Sequence, residues 1–404
     1  MSDFYHNGEI ATLHLLKKDN LEQLEKDLRI FAKKKPIALI LPSIYDELRG
    51  EALPRIMDIL IDVDYIDEIV VTMGRTNNEE FKEARKFFSK LPQSLNIIWN
   101  TGPRVEELYD LLRKSNIEVG EDGKGRSVWM AIGYILSCGN ASVIAIHDCD
   151  ILTYDRGLLA RLCYPVVNPI LDYEYCKGFY ARFSDKLYGR AVRLFVIPLV
   201  RSLKILFSNI DFLEFIDSFR YPLSGEFSFN ADLGRNIRIP YDWGLEVGLL
   251  GEIYRNCAKK RICQSELTDR YDHKHQPLVE GDITKGIGKM SIDIIKSILR
   301  TLTGSGVVIL PDFDRTLKAA YLRTALDFVA KYAHDAEING LEYDRHDEEN
   351  MVDTFVECII QGVQEFFDFP LDLPFIPNWN RAFTAIPDFG TRLIKAVDED
   401  AKVG

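Results

Sequence analysis

Short apolar runs alternate with amphipathic helical segments between about residues 36 and 155. The runs PIALIL, EIVV, LNIIW and SVIAI are each followed by a polar loop, and segments with helical spacing fill the intervals. Because strand–helix alternation is typical of parallel sheets with right-handed crossovers, the pattern predicts an α/β fold. Ligands of such sheets bind at the carboxyl ends of the strands. The loops PSIYDE, TMGRTNN and HDCD are therefore predicted to converge on one pocket of the nucleotide-binding type.

The flanking regions differ from this alternating part. Residues 1–35 are predicted to form a helical lead-in, because the apolar residues of LEQLEKDLRIF recur at helical spacing. Residues 156–285 are less regular but are assigned with residues 36–155 to one domain. Residues 286–404 carry long helical patterns and the aromatic, proline-rich stretch FPLDLPFIPNWNRAF. This last region is expected to be either a dimerisation element or a helical layer on the same core.

Composition and charge restrict the classes of partner. The 404 residues include 50 basic and 62 acidic ones, a net charge of −12, which argues against a broad nucleic-acid-binding surface. The longest apolar run, Leu194–Val200, is too short to span a bilayer, and MSDFYHNGEI lacks the pattern of a signal peptide. The seven cysteines are scattered without a CxxC pair. These features predict a cytoplasmic protein that binds neither nucleic acid nor membrane.

The fourth apolar run ends in two carboxylates, Asp148 and Asp150, separated by a cysteine. Burying carboxylates is costly unless a cation or hydrogen bonds compensate them. Hard divalent cations take oxygen ligands and share them with substrate phosphates, so Asp-x-Asp at a strand end indicates a Mg²⁺ or Mn²⁺ site. Two solvated carboxylates that cap a loop are the alternative.

Two further stretches carry candidate binding groups. In GKGRS, two glycines and Lys124 open a helix, which makes an anion site, although the spacing is not that of a Walker motif. A polar turn with an ordinary helix cap is the alternative. Glu246 begins the helix of GLEVGLLGEIY, where it either stabilises the helix dipole or acts as a catalytic or substrate-orienting acid. His273 and His275 of YDHKHQPL are predicted to be ligands or, alternatively, surface residues.

The order of these stretches resembles a known family. PSIYDE, GKGRS, DCD, KGFY, GR at a helix start, PLSGEF, GLEVGLL and HKHQPL follow one another as in the retaining glycosyltransferases that make glucosyl-3-phosphoglycerate or mannosyl-3-phosphoglycerate. The resemblance covers about residues 36–300. It implies a GT-A fold, related to the Rossmann fold, with a donor half at 36–155, an acceptor half at 156–285 and a mostly helical C-terminal extension. Independently of the resemblance, the helical C-terminal region favours a homodimer.

The resemblance implies a role for each matched residue. The donor would be UDP-glucose, GDP-glucose or GDP-mannose, and the acceptor would be 3-phosphoglycerate. Asp150 and His273 would bind Mg²⁺ or Mn²⁺, and Asp148 would lie beside the ribose and the sugar. The nucleotide would contact Pro42, Ile44, Asp46 and Lys124. Glu246 would lie near the reacting centre, and the acceptor would be held by Gly189, Arg190 and His275.

The sequence departs from the family pattern at the base-binding and acceptor-binding stretches. TMGRTNN follows the second strand, Ala191 and Val192 follow Gly189-Arg190, and His275 replaces what is often an asparagine. A different small acceptor such as glycerate is therefore an alternative to 3-phosphoglycerate. The alternatives of another class are a nucleotide-binding protein with a degenerate transferase fold and a nucleotidyltransferase.

Overall fold

The computed structural model describes residues 6, 8–242, 244–272, 283–369 and 375–402. The strands of these residues are β1 (Ala11–Leu13), β2 (Ile37–Ile44), β3 (Glu68–Gly74), β4 (Ser94–Trp99), β5 (Val143–Ile146), β6 (Tyr175–Tyr180), β7 (Phe227–Asn230), β8 (Ile239–Pro240), β9 (Ile262–Thr268) and β10 (Phe375–Ile376). The α-helices are α1 (Leu21–Ala32), α2 (Ala52–Leu60), α3 (Asn78–Phe88), α4 (Pro103–Lys114), α5 (Lys124–Cys138), α6 (Arg156–Val167), α7 (Ile197–Leu206), α8 (Asp211–Asp217), α9 (Ala231–Asn236), α10 (Leu245–Asn256), α11 (Gly286–Gly304), α12 (Phe313–Asn339), α13 (Arg345–Asp368), α14 (Trp379–Ala385) and α15 (Phe389–Asp400). No described helix has the length and apolar character needed to cross a membrane.

Eight strands form one mixed sheet in the order β1-β9-β6-β7-β5-β2-β3-β4. Strand β7 runs antiparallel to its neighbours β5 and β6, whereas the other neighbouring strands are parallel. Because β7 is antiparallel to both, β5 and β6 run in the same direction. The carboxyl ends of β2, β3, β5 and β6 therefore lie at one edge of the sheet, which confirms the predicted α/β class and the predicted convergence of the strand ends.

The apolar pattern explains which strands are central. Strands β3 and β5 are buried along their whole length, as expected for parallel strands covered on both faces. Helix α5 is buried from Gly125 to Leu136, so it lies between the sheet and other helices rather than at the surface. Its packing fixes the position of its first residue, Lys124, relative to the strand ends.

Both flanks of the chain are joined to this core. The lead-in predicted as helical contains α1 but also β1, which pairs in parallel with β9, so the purely helical prediction was wrong. The three residues of this strand are too few to give a periodic signal in the sequence. Near the other end, the ring of Trp379 stacks on that of Trp129 at 3.9 Å between centroids, and its indole donates to the carbonyl of Trp129. The C-terminal region is thus a layer on the same core, and its predicted role in dimerisation stays a prediction.

Candidate active site

The loop after β5 is fixed by the buried His147. Its Nδ1 lies 2.9 Å from the carbonyl oxygen of Asp148, and its Nε2 lies 3.1 Å from the hydroxyl of Tyr154. Burial lowers the pKa of His147 to about 4, so the ring is neutral and Nδ1–H donates to the carbonyl. Cys149 is buried in the core. His147 therefore orients the backbone that presents Asp148 and Asp150.

Lys124 joins two of the predicted carboxylates. Its Nζ lies 2.6 Å from Oδ1 of Asp148 and 3.4 Å from Oε1 of Glu246. Burial acts to lower the pKa of Lys124, but the charges of Asp148 and Glu246 outweigh it and hold that pKa above its usual value. The first residue of α5, the loop after β5 and the first turn of α10 thus meet through one ammonium group that stays charged.

The turn before β7 packs against Asp148 and carries a residue that sequence reasoning missed. A Cβ on Gly225 would lie 2.4 Å from Oδ2 of Asp148, so only glycine allows this approach. The next residue, Glu226, is fully buried and accepts hydrogen bonds from Tyr180 and Tyr271 at 2.7 and 2.8 Å. Burial, and then the charge of Asp148, raises the pKa of Glu226. Glu226 therefore ties the ends of β6 and β9 to the turn that touches Asp148.

Lys177 in β6 is a second residue that sequence reasoning missed. It is fully buried, and its Nζ donates to the carbonyl of Ser224 at 2.8 Å. Burial lowers its pKa to about 8, although the charges of Glu246 and Glu226 act in the opposite direction. A lysine inside the apolar strand YCKGFY was the available signal, since a buried lysine needs specific compensation. Lys177 adds positive charge behind the carboxylates of the site.

The end of β2 places Glu47, rather than Asp46, toward the strand-end carboxylates. Asp46 is exposed, whereas the carboxylate of Glu47 accepts hydrogen bonds from Ser43 and from the backbone of Ile44. Burial raises the pKa of Glu47 to about 7, and the charges of Asp150 and Asp148 add to this shift. Pro42 and Ile44 pair with Thr72 and Gly74 of β3, so both predicted pocket residues lie at the expected edge.

The carboxylates at this edge fit a hard divalent cation. Asp148 and Asp150 carry the oxygen donors that such a cation prefers, and their charges add to the burial that raises the pKa of Glu47. Among the described residues, no three His, Cys, Asp or Glu side chains form a complete metal-binding group. The predicted ligand His273 and the predicted acceptor residue His275 lie outside the described residues, so the structure does not test their roles.

The raised pKa of Glu47 predicts a dependence of stability on pH. A carboxyl whose pKa rises from 4.5 to about 7 on folding stabilises the fold below pH 4.5 and loses that contribution as pH rises to 7. In metal-free protein at pH 8, Glu47→Gln is therefore expected to raise the free energy of unfolding by about 1–3 kcal/mol. At pH 4.5 the gain should vanish. Urea denaturation with a chelator at both pH values measures this difference.

The exposed Glu51 provides a matched control for Glu47, because Glu51→Gln removes the same charge a few residues along the chain. We expect it to change stability by less than about 0.5 kcal/mol at either pH. An equal gain for Glu47→Gln at pH 4.5 and pH 8 would contradict the assigned ionisation.

The predicted acceptor turn contacts the C-terminal helices. Gly189 has φ +73°, a backbone conformation that favours glycine. The guanidinium of Arg190 donates through Nε to Glu348 at 2.7 Å and also pairs with Asp347. The sequence analysis predicted that Arg190 contacts the acceptor and named no other partner. Its charge is in fact shared with two carboxylates at the start of α13.

The mixed sheet and the polar residues at its carboxyl edge fit one class of protein, the nucleotide-sugar glycosyltransferases of the GT-A type. No protein-family model matches the chain. The chain is 45% identical over 400 residues to glucosyl-3-phosphoglycerate synthase of Persephonella marina, covering 99% of both sequences. It is 37% identical over 405 residues to the synthase of Methanococcoides burtonii, covering 99% of this chain and 98% of the relative. The chain therefore belongs to the glucosyl-3-phosphoglycerate synthase family.

Solved structures share the fold at lower identity. Glucosyl-3-phosphoglycerate synthase of Mycobacterium tuberculosis, in complex with Mn²⁺, UDP-glucose and phosphoglyceric acid, aligns with a TM-score of 0.53 at 19% identity, covering 74% of this chain and 89% of that one. Mannosyl-3-phosphoglycerate synthase of Rubrobacter xylanophilus aligns with a TM-score of 0.53 at 17% identity, covering 74% and 84%. These alignments confirm the GT-A architecture.

Proposed function

We propose that this protein transfers glucose from a nucleoside diphosphate glucose to 3-phosphoglycerate and needs a divalent cation to do so. The observation that carries the proposal is the contact of Lys124 with both Asp148 and Glu246, in a chain that belongs to this family over its whole length. A degenerate, purely nucleotide-binding protein would have no need to keep these three charged groups together.

The binding roles follow the sheet edge. Pro42, Ile44 and Asp46 would line the base and ribose pocket. Asp150 would hold Mg²⁺ or Mn²⁺ together with His273, and the bound cation would neutralise the donor diphosphate. Asp148 would lie beside the ribose and the sugar. Glu47 would remain ionised when the cation is bound. On the acceptor side, Gly189, Arg190 and His275 would hold 3-phosphoglycerate, and Arg190 would do so while paired with α13.

In the proposed chemical step, the acceptor hydroxyl attacks the sugar from the same face that the diphosphate leaves. The acceptor hydroxyl oxygen bonds to the anomeric carbon, the bond from that carbon to the diphosphate oxygen breaks, and the departing phosphate takes the hydroxyl proton. The ammonium of Lys124 would stabilise the developing negative charge. Glu246 is engaged by this ammonium at 3.4 Å, which disfavours it as a covalent nucleophile and suits it to orient the sugar hydroxyls.

The test is a matrix of donors and acceptors with Mg²⁺, in which release of nucleoside diphosphate is measured. UDP-glucose, GDP-glucose and GDP-mannose are each combined with 3-phosphoglycerate, glycerate or no acceptor. We expect release with a glucose donor that depends on 3-phosphoglycerate, and an α-linked product by NMR. Release of pyrophosphate, or no release of nucleoside diphosphate with any donor–acceptor pair, would overturn the proposal. Release that occurs with glycerate but not with 3-phosphoglycerate would show that glycerate is the acceptor. The cytoplasmic location and the homodimer stay predictions.

A further inference from the structure

Arg182 lies at the same edge of the sheet as the strand-end carboxylates. It follows β6, whose carboxyl end points the same way as that of β5. Its carbonyl accepts a hydrogen bond from the backbone of Tyr188, and its Cδ lies 4.0 Å from the position that a Cβ on Gly189 would take. Arg182 is therefore a direct neighbour of the proposed acceptor turn.

A layer of aromatic side chains separates Arg182 from the buried Glu226. Nη1 of Arg182 donates to the hydroxyl of Tyr221 at 2.8 Å, and the ring of Tyr221 lies 5.0 Å from that of Tyr180. Tyr180 in turn donates to Glu226, which adjoins the turn against Asp148. Arg182 thus stands one aromatic layer away from Glu226, on the side of the proposed acceptor turn.

The guanidinium of Arg182 has an unused hydrogen-bonding edge. Its Nε is buried and has no hydrogen-bond partner, and neither Nε nor Nη2 bonds to any described residue. No carboxylate of the described residues forms an ion pair with it. An unsatisfied buried donor is costly, and this edge of an arginine binds two oxygens of one phosphate or carboxylate.

The neighbouring arginines, unlike Arg182, form ion pairs with carboxylates. Arg190 pairs with Asp347 and Glu348, and Arg193 pairs with Glu348 at 2.9 Å. Their charges are already compensated by α13, whereas that of Arg182 is compensated by no described carboxylate. A small acceptor that carries two anionic groups needs more cationic charge than the paired Arg190 offers.

We infer that Arg182 binds the phosphate group of the acceptor through its Nε–Nη2 edge, with Tyr221 holding the guanidinium in place. The inference rests on the proposed function, because it takes 3-phosphoglycerate as the acceptor. It makes Arg182, rather than the Gly189-Arg190 turn alone, the residue that distinguishes phosphoglycerate from glycerate.

The test compares Arg182→Gln with the wild-type protein. We expect the KM for 3-phosphoglycerate to rise about 10- to 100-fold, the loss of a charge-assisted hydrogen bond, while the KM for the sugar donor stays within about twofold. Inorganic phosphate and glycerate are then used as competitive inhibitors of 3-phosphoglycerate. The Ki of phosphate should rise with the variant and that of glycerate should not. A merely structural role would raise both inhibition constants together.

Lys186→Gln is the matched control, because it removes an exposed positive charge from the same loop. Its KM for 3-phosphoglycerate should change by less than about twofold. If Arg182→Gln does not fold, Arg182→Lys is tested in the same way, and its KM for 3-phosphoglycerate is expected to rise by a smaller factor. An unchanged KM for 3-phosphoglycerate in either folded variant would overturn the inference. Absence of transfer by the wild-type protein would instead overturn the proposed function, so the two failures are distinct.

Discussion

Lys124→Met is expected to lower kcat by about 100- to 1000-fold without weakening the binding of the divalent cation. The ammonium lies 2.6 Å from Asp148 and also contacts Glu246, so its removal takes away the charge that would stabilise the departing diphosphate. The same change removes one positive charge from beside Asp148, which strengthens the attraction of the site for a cation. Turnover at saturating substrates and Mn²⁺ binding by calorimetry measure the two effects separately.

An exposed lysine, Lys90, serves as the control for this change, since Lys90→Met alters the net charge equally. It should leave kcat and the Mn²⁺ affinity unchanged. If Lys124→Met weakened Mn²⁺ binding tenfold or more with kcat intact, the lysine would act in assembling the cation site and its assigned role would be wrong.

Asp150→Asn is expected to raise the Mg²⁺ concentration needed for half-maximal activity about 10- to 100-fold and to lower turnover at least about 100-fold. An amide oxygen carries no net charge and cannot replace a carboxylate facing a divalent cation and a diphosphate. Burial is the main cause of the raised pKa of Glu47, and the charge of Asp150 adds to it, so Asp150 lies near that carboxylate. Initial rates over a titration of Mg²⁺ determine both quantities.

Asp155→Asn is the matched variant for Asp150→Asn. Asp155 caps α6 by accepting a hydrogen bond from the backbone of Leu158 at 2.8 Å, and asparagine caps helices equally well. This variant should therefore keep the wild-type Mg²⁺ dependence. Full activity of Asp150→Asn in saturating Mg²⁺ would contradict the proposed cation site.

The positions of the strands and loops along residues 36–155 could be predicted because the apolar runs are unambiguous. The periodic pattern was enough to predict strand β5 before Asp148 and the helix that begins at Lys124. The rule that ligands bind at the carboxyl ends of parallel strands then placed both residues near the site. The antiparallel insertion of β7 could not be predicted in this way. FSFN has four residues, and its direction is set by its neighbours rather than by its own sequence.

The less predictable part of the site depends on contacts between distant residues. The family resemblance assigned Asp46, and not Glu47, to the pocket. Both residues follow β2, and the hydrogen bonds that Glu47 accepts from Ser43 and from the backbone of Ile44 have no signature in the sequence. The partners of Arg190 lie on α13, more than 150 residues along the chain, and have no local signature. Lys177 and Glu226 stood in stretches that resembled the family, but their burial follows from packing.

The pairing of β1 with β9 has a consequence for how the chain acquires its structure. Ala11 is synthesised well before its partner Cys263, and α15, which packs beside the opposite edge strand β4, is synthesised after both. Both edges of the sheet are therefore uncovered in the growing polypeptide, and exposed strand edges promote association between chains. Variants shortened at either terminus would be expected to fail first through aggregation in the cell, before any catalytic defect could be measured.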